Sequence, residues 1–383
     1  MDFNFTNEQS MMRDNVARYL QKNYDFDQRR KIVASGCGLS RRVWSHFAEL
    51  GLLALPFPEA AGGLGGSIVD VVSIAELFGQ YLVIEPYCAS MLPAGNAIAA
   101  VARANPSGIA NALLAQVMAS EKLIAFAHEE GKGIADPSRL GLKATRSGDG
   151  YRLDGEKRYV LGGMQADKLV VSVRTDGVPG DVHGLALMLV DPRHTGLTIK
   201  PFETVDGRAA GHASFDGAEI SSEALLMADA GAAINEVIQV ATIALCAEAV
   251  GAMGALLAKT AEYASTRKQF GAPIGSFQAV AHRLADMKIA YASARATLLY
   301  TSALAEAGRA TRRDISILKG QTGVLGIAIG EAAVQTYGGV GMTDELTIGH
   351  YLKRLLAIDA MFGNSEYHFR ILGKAEPASA IAP

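Results

Sequence analysis

The chain has few of the residues that would tie it to a metal, a disulfide framework or a nucleic acid. Its 383 residues include 3 cysteines, Cys37, Cys88 and Cys246, too scattered to form a CxxC pair. That pattern excludes a structural zinc knot and a disulfide scaffold, and it fits a reducing compartment. Charge is also scarce, at 20% Asp, Glu, Lys and Arg with a net charge of −3. No basic field invites a polyanion, so nucleic acid is not an expected partner. The most apolar stretch, Val240–Ala261, is interrupted by Glu248 and Lys259 and is expected to fall short of a membrane span. The N-terminus, MDFNFTNEQS, is polar from its start and predicts no signal peptide. A cytoplasmic protein with no membrane contact and no metal site is the resulting expectation.

At 383 residues the chain is long enough for two or three domains with large cores, and 49% apolar residues exclude a disordered chain. Thr6-Asn7-Glu8-Gln9 is a capping-box pattern, followed by helical spacing through Met11, Met12, Val16, Tyr19 and Leu20. Ser40 can cap a helix carrying Trp44, Phe47 and Leu50 that ends at Gly51. From about Leu123 the segments become short, rich in Val, Tyr and Leu, and punctuated by turns. Gly148-Asp149-Gly150 fits a hairpin connection. From Ala232 helical spacing returns, with one predicted helix running to about Thr266 and another over Ile315–Ala333. These patterns predict a mainly α chain with a β middle domain: helices over 1–121, strands over 122–230, helices over 231–383.

Four segments carry candidate chemistry. Arg267-Lys268-Gln269-Phe270-Gly271 closes the long helix; the cations and Gly suit a helix C-terminus, while Arg267 also offers a fork of donors to a pyrophosphate. Gln335 to Gly341 is Gly-rich, which fits either a plain turn or a backbone that lets a flat or anionic ligand approach. Glu129 and Glu130 point to opposite sides of an extended chain, so they are no acid–base pair by spacing, and a solvated loop is the expected setting. Glu248 sits among small apolar residues in LCAEAVGAMG; it either pairs with a basic side chain or lines a cavity.

Together these segments resemble the acyl-CoA dehydrogenase family over essentially the whole chain. RKQFGAPIGSFQAVAHRLADM (Arg267–Met287), QTYGGVGMTDE (Gln335–Glu345) and GLLALPFPEAAGGLGGS each look like a block of that family. The resemblance implies an N-terminal helical domain, a β-barrel or sandwich domain and a C-terminal four-helix bundle. It implies FAD, an acyl-CoA substrate and α,β-dehydrogenation, in which a carboxylate takes the α-proton and the β-hydrogen leaves as hydride to the flavin. It also implies electron-transfer flavoprotein as oxidant and a flavin shared between two subunits. Carried over by motif, Arg267, Gln269, Phe270, Phe277, Gln278, Gln335, Gly338 and Gly339 match the residues that hold the flavin's pyrophosphate and adenine side.

The other half departs from the family. Its T-E-P-x-A-G-S-D loop is AHEEGKGIADP here, with Glu129 at the Thr position and Ala135 at the Ser position. Its K-x-W-I-T segment is Lys157 to Leu161, with Tyr159 for Trp and Leu161 for Thr. The catalytic Glu of Y-E-G-T aligns with Phe362, in the stretch Met361-Phe362-Gly363-Asn364. The alternative site for that Glu, 26 residues before the Arg, is Ala241. Glu248 is the remaining candidate base, two turns further along the same helix, while Asp359 and Glu366 flank Phe362. The usual Arg-Asp pair of the C-terminal helix reads Lys353-Arg354. The sequence also resembles the small subunit of heteromeric, pimeloyl-CoA dehydrogenase-type bacterial enzymes. Two readings result: a subunit that supplies part of an FAD site while a related partner chain supplies the base, or a self-sufficient homo-oligomer with a relocated base such as Glu248. A third is the same fold turned to another use, such as a flavin oxidase or a scaffold.

Overall fold

The computed structural model describes residues 6–104, 109–131 and 135–374. In chain order the helices are α1 (Asn7–Asn23), α2 (Phe26–Ala34), α3 (Arg41–Glu49), α4 (Ile68–Gln80), α5 (Leu92–Ala104) and α6 (Ile109–Met118), then α7 (Gly231–Thr266), α8 (Gln278–Glu306), α9 (Arg312–Tyr337), α10 (Thr347–Ala360) and α11 (Ser365–Lys374). Between the two helical runs lie β1 (Ile124–Ala127), β2 (Lys143–Ser147), β3 (Gly150–Leu161), β4 (Lys168–Arg174), β5 (Leu185–Val190), β6 (Leu197–Glu203), β7 (Ala209–Ile220) and β8 (Leu225–Met227). A two-stranded ribbon, β9 (Lys268–Gln269) with β10 (Ala272–Pro273), follows α7. The element order is therefore helical, β, helical. By compactness the chain groups into two units: Asp27–Val71 with Ile84–Ala241, and Met1–Phe26 with Val72–Val83 and Thr242–Pro383.

The first unit is built on an eight-stranded mixed sheet ordered β6-β7-β3-β2-β4-β5-β8, with β1 parallel to β4. β2 and β3 form the hairpin at Gly148-Asp149, Ser147 pairing with Gly150. β4 is Val-rich and buried along nearly its whole length, as a strand covered on both faces must be. Leu153, Val160, Leu169, Val171, Met188 and Phe215 meet in the core. β3 carries two register shifts against β7, between Leu153 and Gly155 and between Lys157 and Val160. Such bulges bend a strand and re-aim its side chains. The second one lies within the Lys157–Leu161 segment singled out by its departure from the family.

The second unit is helical. Thr6 and Gln9 complete the capping box of α1, and Thr311 and Asp314 do the same for α9. The small residues of α7 serve close helix contact. A Cβ on Gly251 would lie 1.8 Å from the Glu76 carbonyl oxygen, and one on Gly79 would lie 1.7 Å from that of Glu248. Only glycine permits α4 and α7 to meet at that distance. The sequence expectation that this run is too interrupted for a membrane span needs correcting. By length and composition α7 is apolar enough to cross a bilayer, but 72% of its most apolar window is buried inside the protein. Core packing accounts for its composition.

Candidate active site

The turn at Phe362 is tightly held. Phe362 has φ +50 and Gly363 φ +87, so a phenyl-bearing residue occupies the left-handed region that disfavours L side chains. The ring is buried, at 4% exposure. Three side chains hold the backbone in place. Lys319, on α9 and buried, donates Nζ–H bonds to the carbonyls of Asp359 and Gly363, each at 2.8 Å. His368 Nε2 lies 3.1 Å from the Phe362 carbonyl oxygen, and its Nδ1 lies 3.2 Å from Ser316 Oγ. Burial, with the Lys319 charge adding to it, lowers the His368 pKa to about 4. The ring is therefore neutral at pH 7 and donates to the Phe362 carbonyl through a protonated Nε2. Asp359 accepts from the Ser365 amide at 3.0 Å and from its hydroxyl. Glu366 is ion-paired with Arg370 on the exposed side of α11. Both carboxylates flanking Phe362 are thus committed to local structure.

Glu248 resolves into a pair. Its Oε1 accepts from Arg354 Nε at 2.7 Å and its Oε2 from Arg354 Nη2 at 2.8 Å, a two-pronged contact between two buried side chains. This gives the Lys353-Arg354 sequence its role: Arg354 is the counter-ion of Glu248. A carboxylate with both oxygens occupied by one guanidinium is poorly placed to accept a substrate proton. Ala241, the other expected base position, is buried. Cys246, near Lys319 and Asp359, is a buried thiol whose pKa is pushed up to about 11 by burial, so it is no nucleophile.

The Arg267–Gly271 and Gln335–Gly341 segments both lie at the end of α7. Tyr337 stacks on Tyr263 at 4.0 Å and donates its hydroxyl to the Lys259 carbonyl at 3.0 Å. This brings the turn after α9 to the last turns of α7, next to Arg267. Phe270 is 94% exposed with φ +53, edge-on to Phe277 at 6.2 Å. A ring held in solvent on a strained backbone is unusual unless something covers it. The side chains of Arg267, Gln269, Gln278 and Gln335 are exposed and make no hydrogen bond or ion pair among the described residues. Gly338 has φ +68, and a Cβ on Gly338 or Gly339 would meet nothing within 4 Å. Free donors, an uncovered aromatic and open glycine backbone together fit a flat, anionic ligand.

In the β unit, Glu130 is not on a solvated loop, as the sequence suggests. Its carboxylate accepts from the amides of Gly141 (2.7 Å) and Leu142 (3.0 Å) and from Lys157 Nζ (2.7 Å). Lys157 is fully buried and also reaches the His128 carbonyl and Ser172 Oγ. Burial lowers the Lys157 pKa to about 8 against the raising effect of Glu130, and burial lowers that of His128 to about 3. The cluster ties the Glu129–Glu130 segment to β3 from behind. Ala135 and Leu161 are buried apolar residues, and Tyr159 lies against Phe202 at 6.0 Å. Lys132, Gly133 and Ile134 of the loop lie outside the described residues.

Residues 6–104 match the family "Acyl-CoA dehydrogenase, N-terminal domain" and residues 230–376 match "Acyl-CoA dehydrogenase, C-terminal domain". The acyl-CoA dehydrogenase IpdE2 of Mycobacterium tuberculosis is 30% identical over 350 residues, covering 91% of this chain and 90% of that protein. The chain belongs to the acyl-CoA dehydrogenase family. FadE27 of the same organism is 27% identical over 345 residues, covering 87% of each chain. Among solved structures, a variant of the Tcur3481-Tcur3483 steroid ACAD superimposes with a TM-score of 0.85 at 27% identity, over 96% of each chain. The ChsE4-ChsE5 complex from Mycobacterium tuberculosis superimposes with a TM-score of 0.88 at 24% identity, over 99% of this chain and 100% of that one, a likeness of fold. Family membership makes the protein an FAD-dependent oxidoreductase. In the β unit, Glu129, Ala135 and Leu161 carry no hydroxyl at the positions where the family motifs have one. Sequence reasoning missed Lys319 and His368, and for Lys157, which it named as part of a motif, it missed the contacts; each is buried and acts on main-chain carbonyls or a local carboxylate, and no spacing rule reports that.

Proposed function

We propose that this chain is a subunit of a heteromeric acyl-CoA dehydrogenase that holds the pyrophosphate and adenine side of an FAD whose ring and catalytic base belong to a related partner chain. The observation that carries this reading is the Phe362 turn. The backbone that would present a base is held in place by hydrogen bonds from Lys319 and His368, but its side chain is a buried phenyl ring that cannot take a proton. Glu248, the remaining candidate, is committed to Arg354. Two structural relatives are named for two components each, Tcur3481-Tcur3483 and ChsE4-ChsE5, which supports a heteromer here.

In this reading Arg267 binds the pyrophosphate, Gln335 and the Gly338-Gly339 backbone receive the adenine end, and Phe270 and Phe277 cover it, with Gln269 and Gln278 as further donors. When bound, FAD would supply the hydride acceptor for α,β-dehydrogenation of the acyl-CoA, with electron-transfer flavoprotein as the partner that would take the electrons on. This chain's own residues bind and orient; proton removal falls to the partner. The test is acyl-CoA oxidation by this chain alone, by a candidate partner alone and by the two together. Activity only in the mixture is the expected result, and turnover by this chain alone refutes the proposal. Arg267→Ala should then release FAD from the active mixture on dialysis; full retention removes Arg267 from its assigned role.

A further inference from the structure

A second polar site lies in the helical unit. Residues of α1, α4, α7 and α8 line an open cleft of about 440 Å³, within the range of small-molecule sites. Its walls carry Arg13, Lys288 and Arg295 against a single carboxylate, Glu76. Glu76 is gripped from both sides, by Arg13 Nη1 on Oε2 at 3.3 Å and by Arg295 Nε on Oε1 at 3.3 Å. Its charge is spent within the wall, which leaves an excess of positive charge facing the cavity. Arg13 is further fixed through the Ser73 carbonyl.

Two groups have no such partner. Lys288 lies over the Tyr291 ring, with Nζ 5.5 Å from its centre, and no carboxylate pairs with it among the described residues. The Tyr291 hydroxyl makes no hydrogen bond among the described residues either. Burial raises its pKa against the opposing charge of Arg295, and like any tyrosine hydroxyl it is a proton donor at neutral pH. The opposite wall is apolar and small: Gly251, Gly254, Ala255, Leu257 and Ala258. A Cβ on Gly254 would lie 3.2 to 3.4 Å from the Tyr291 ring and hydroxyl, so that glycine preserves the ring's position. Arg267 lies thirteen residues beyond Gly254 on or just past the same helix, about 20 Å away at 1.5 Å per residue. The cavity is therefore distinct from the open end of α7.

We propose that this cavity binds a phosphate group, free or as the monoester of a small sugar-sized molecule. The oxyanion sits between Lys288, Arg295 and the Tyr291 hydroxyl, and any ester body lies along Gly254–Ala258. The proposal does not depend on how flavin is shared between subunits. Calorimetric titration of the full chain in an anion-poor buffer tests it, with inorganic phosphate and ribose 5-phosphate as probes. Saturable binding of at least one probe is expected, weakened tenfold or more by Lys288→Met and severalfold by Tyr291→Phe, all measured in an Arg267→Ala background so that the α7 end contributes no phosphate binding of its own. Both side chains are partly or fully exposed, and a thermal melt confirms that the variants fold. Tighter binding of ribose 5-phosphate supports the ester, and tighter binding of inorganic phosphate supports the free anion. No saturable binding in that background, or equal binding after Lys288→Met, overturns the site.

Discussion

Glu248 and Arg354 show how much a single buried pair decides. Removing one partner of such a pair leaves the other charge in the core, at a cost of roughly 3–5 kcal/mol. Glu248→Gln is therefore expected to lower the melting temperature sharply, and replacing both residues with leucine should recover most of the loss. An unchanged melt for Glu248→Gln would contradict the pairing. Histidines set a second residue-scale expectation. The folded pKa of His128 is about 3 and that of His368 about 4, both below the ordinary 6.5. Below pH 6.5 the unfolded chain takes up protons that the folded chain refuses. Stability is thus complete above that pH and falls as the pH drops toward the folded values, by roughly 1.4 kcal/mol per histidine for each unit crossed. A melting temperature that stays flat from pH 6.5 to 4.5, or the same decline in His128→Asn, would contradict this assignment.

At the scale of elements, the turn between α10 and α11 is the informative feature. Lys319→Met would leave the carbonyls of Asp359 and Gly363 without their donor and is expected to cost roughly 2–4 kcal/mol, read as a lower denaturation midpoint. A midpoint within a few tenths of a kcal/mol of wild type would remove Lys319 as the pin. The elements themselves were legible in the sequence. Thr6, Ser40 and the Gly148-Asp149 turn announce their structures through local chemistry, and α7 through composition and spacing. The pins were not legible. Lys319 lies some forty residues from the carbonyls it holds, and Glu130 is taken from its loop by Lys157 and by the amides of Gly141 and Leu142. Those contacts depend on tertiary packing, which local pattern does not encode. Phe362 could be recognised as a missing base by motif alignment, while the left-handed backbone beneath it needed coordinates.

At the scale of the molecule, the α7 end has open donors and an uncovered aromatic, while Phe362 offers no base and Glu129, Ala135 and Leu161 offer no hydroxyl at their motif positions. That asymmetry suits a chain that completes another subunit's flavin site. The most direct measurement is bound FAD per chain after purification, for this protein alone and after co-expression with a related partner. The account predicts little or no flavin on the chain alone and FAD retained in the mixed complex, in proportion to the partner. Stoichiometric FAD on the chain alone, with acyl-CoA bleaching its colour, would contradict it.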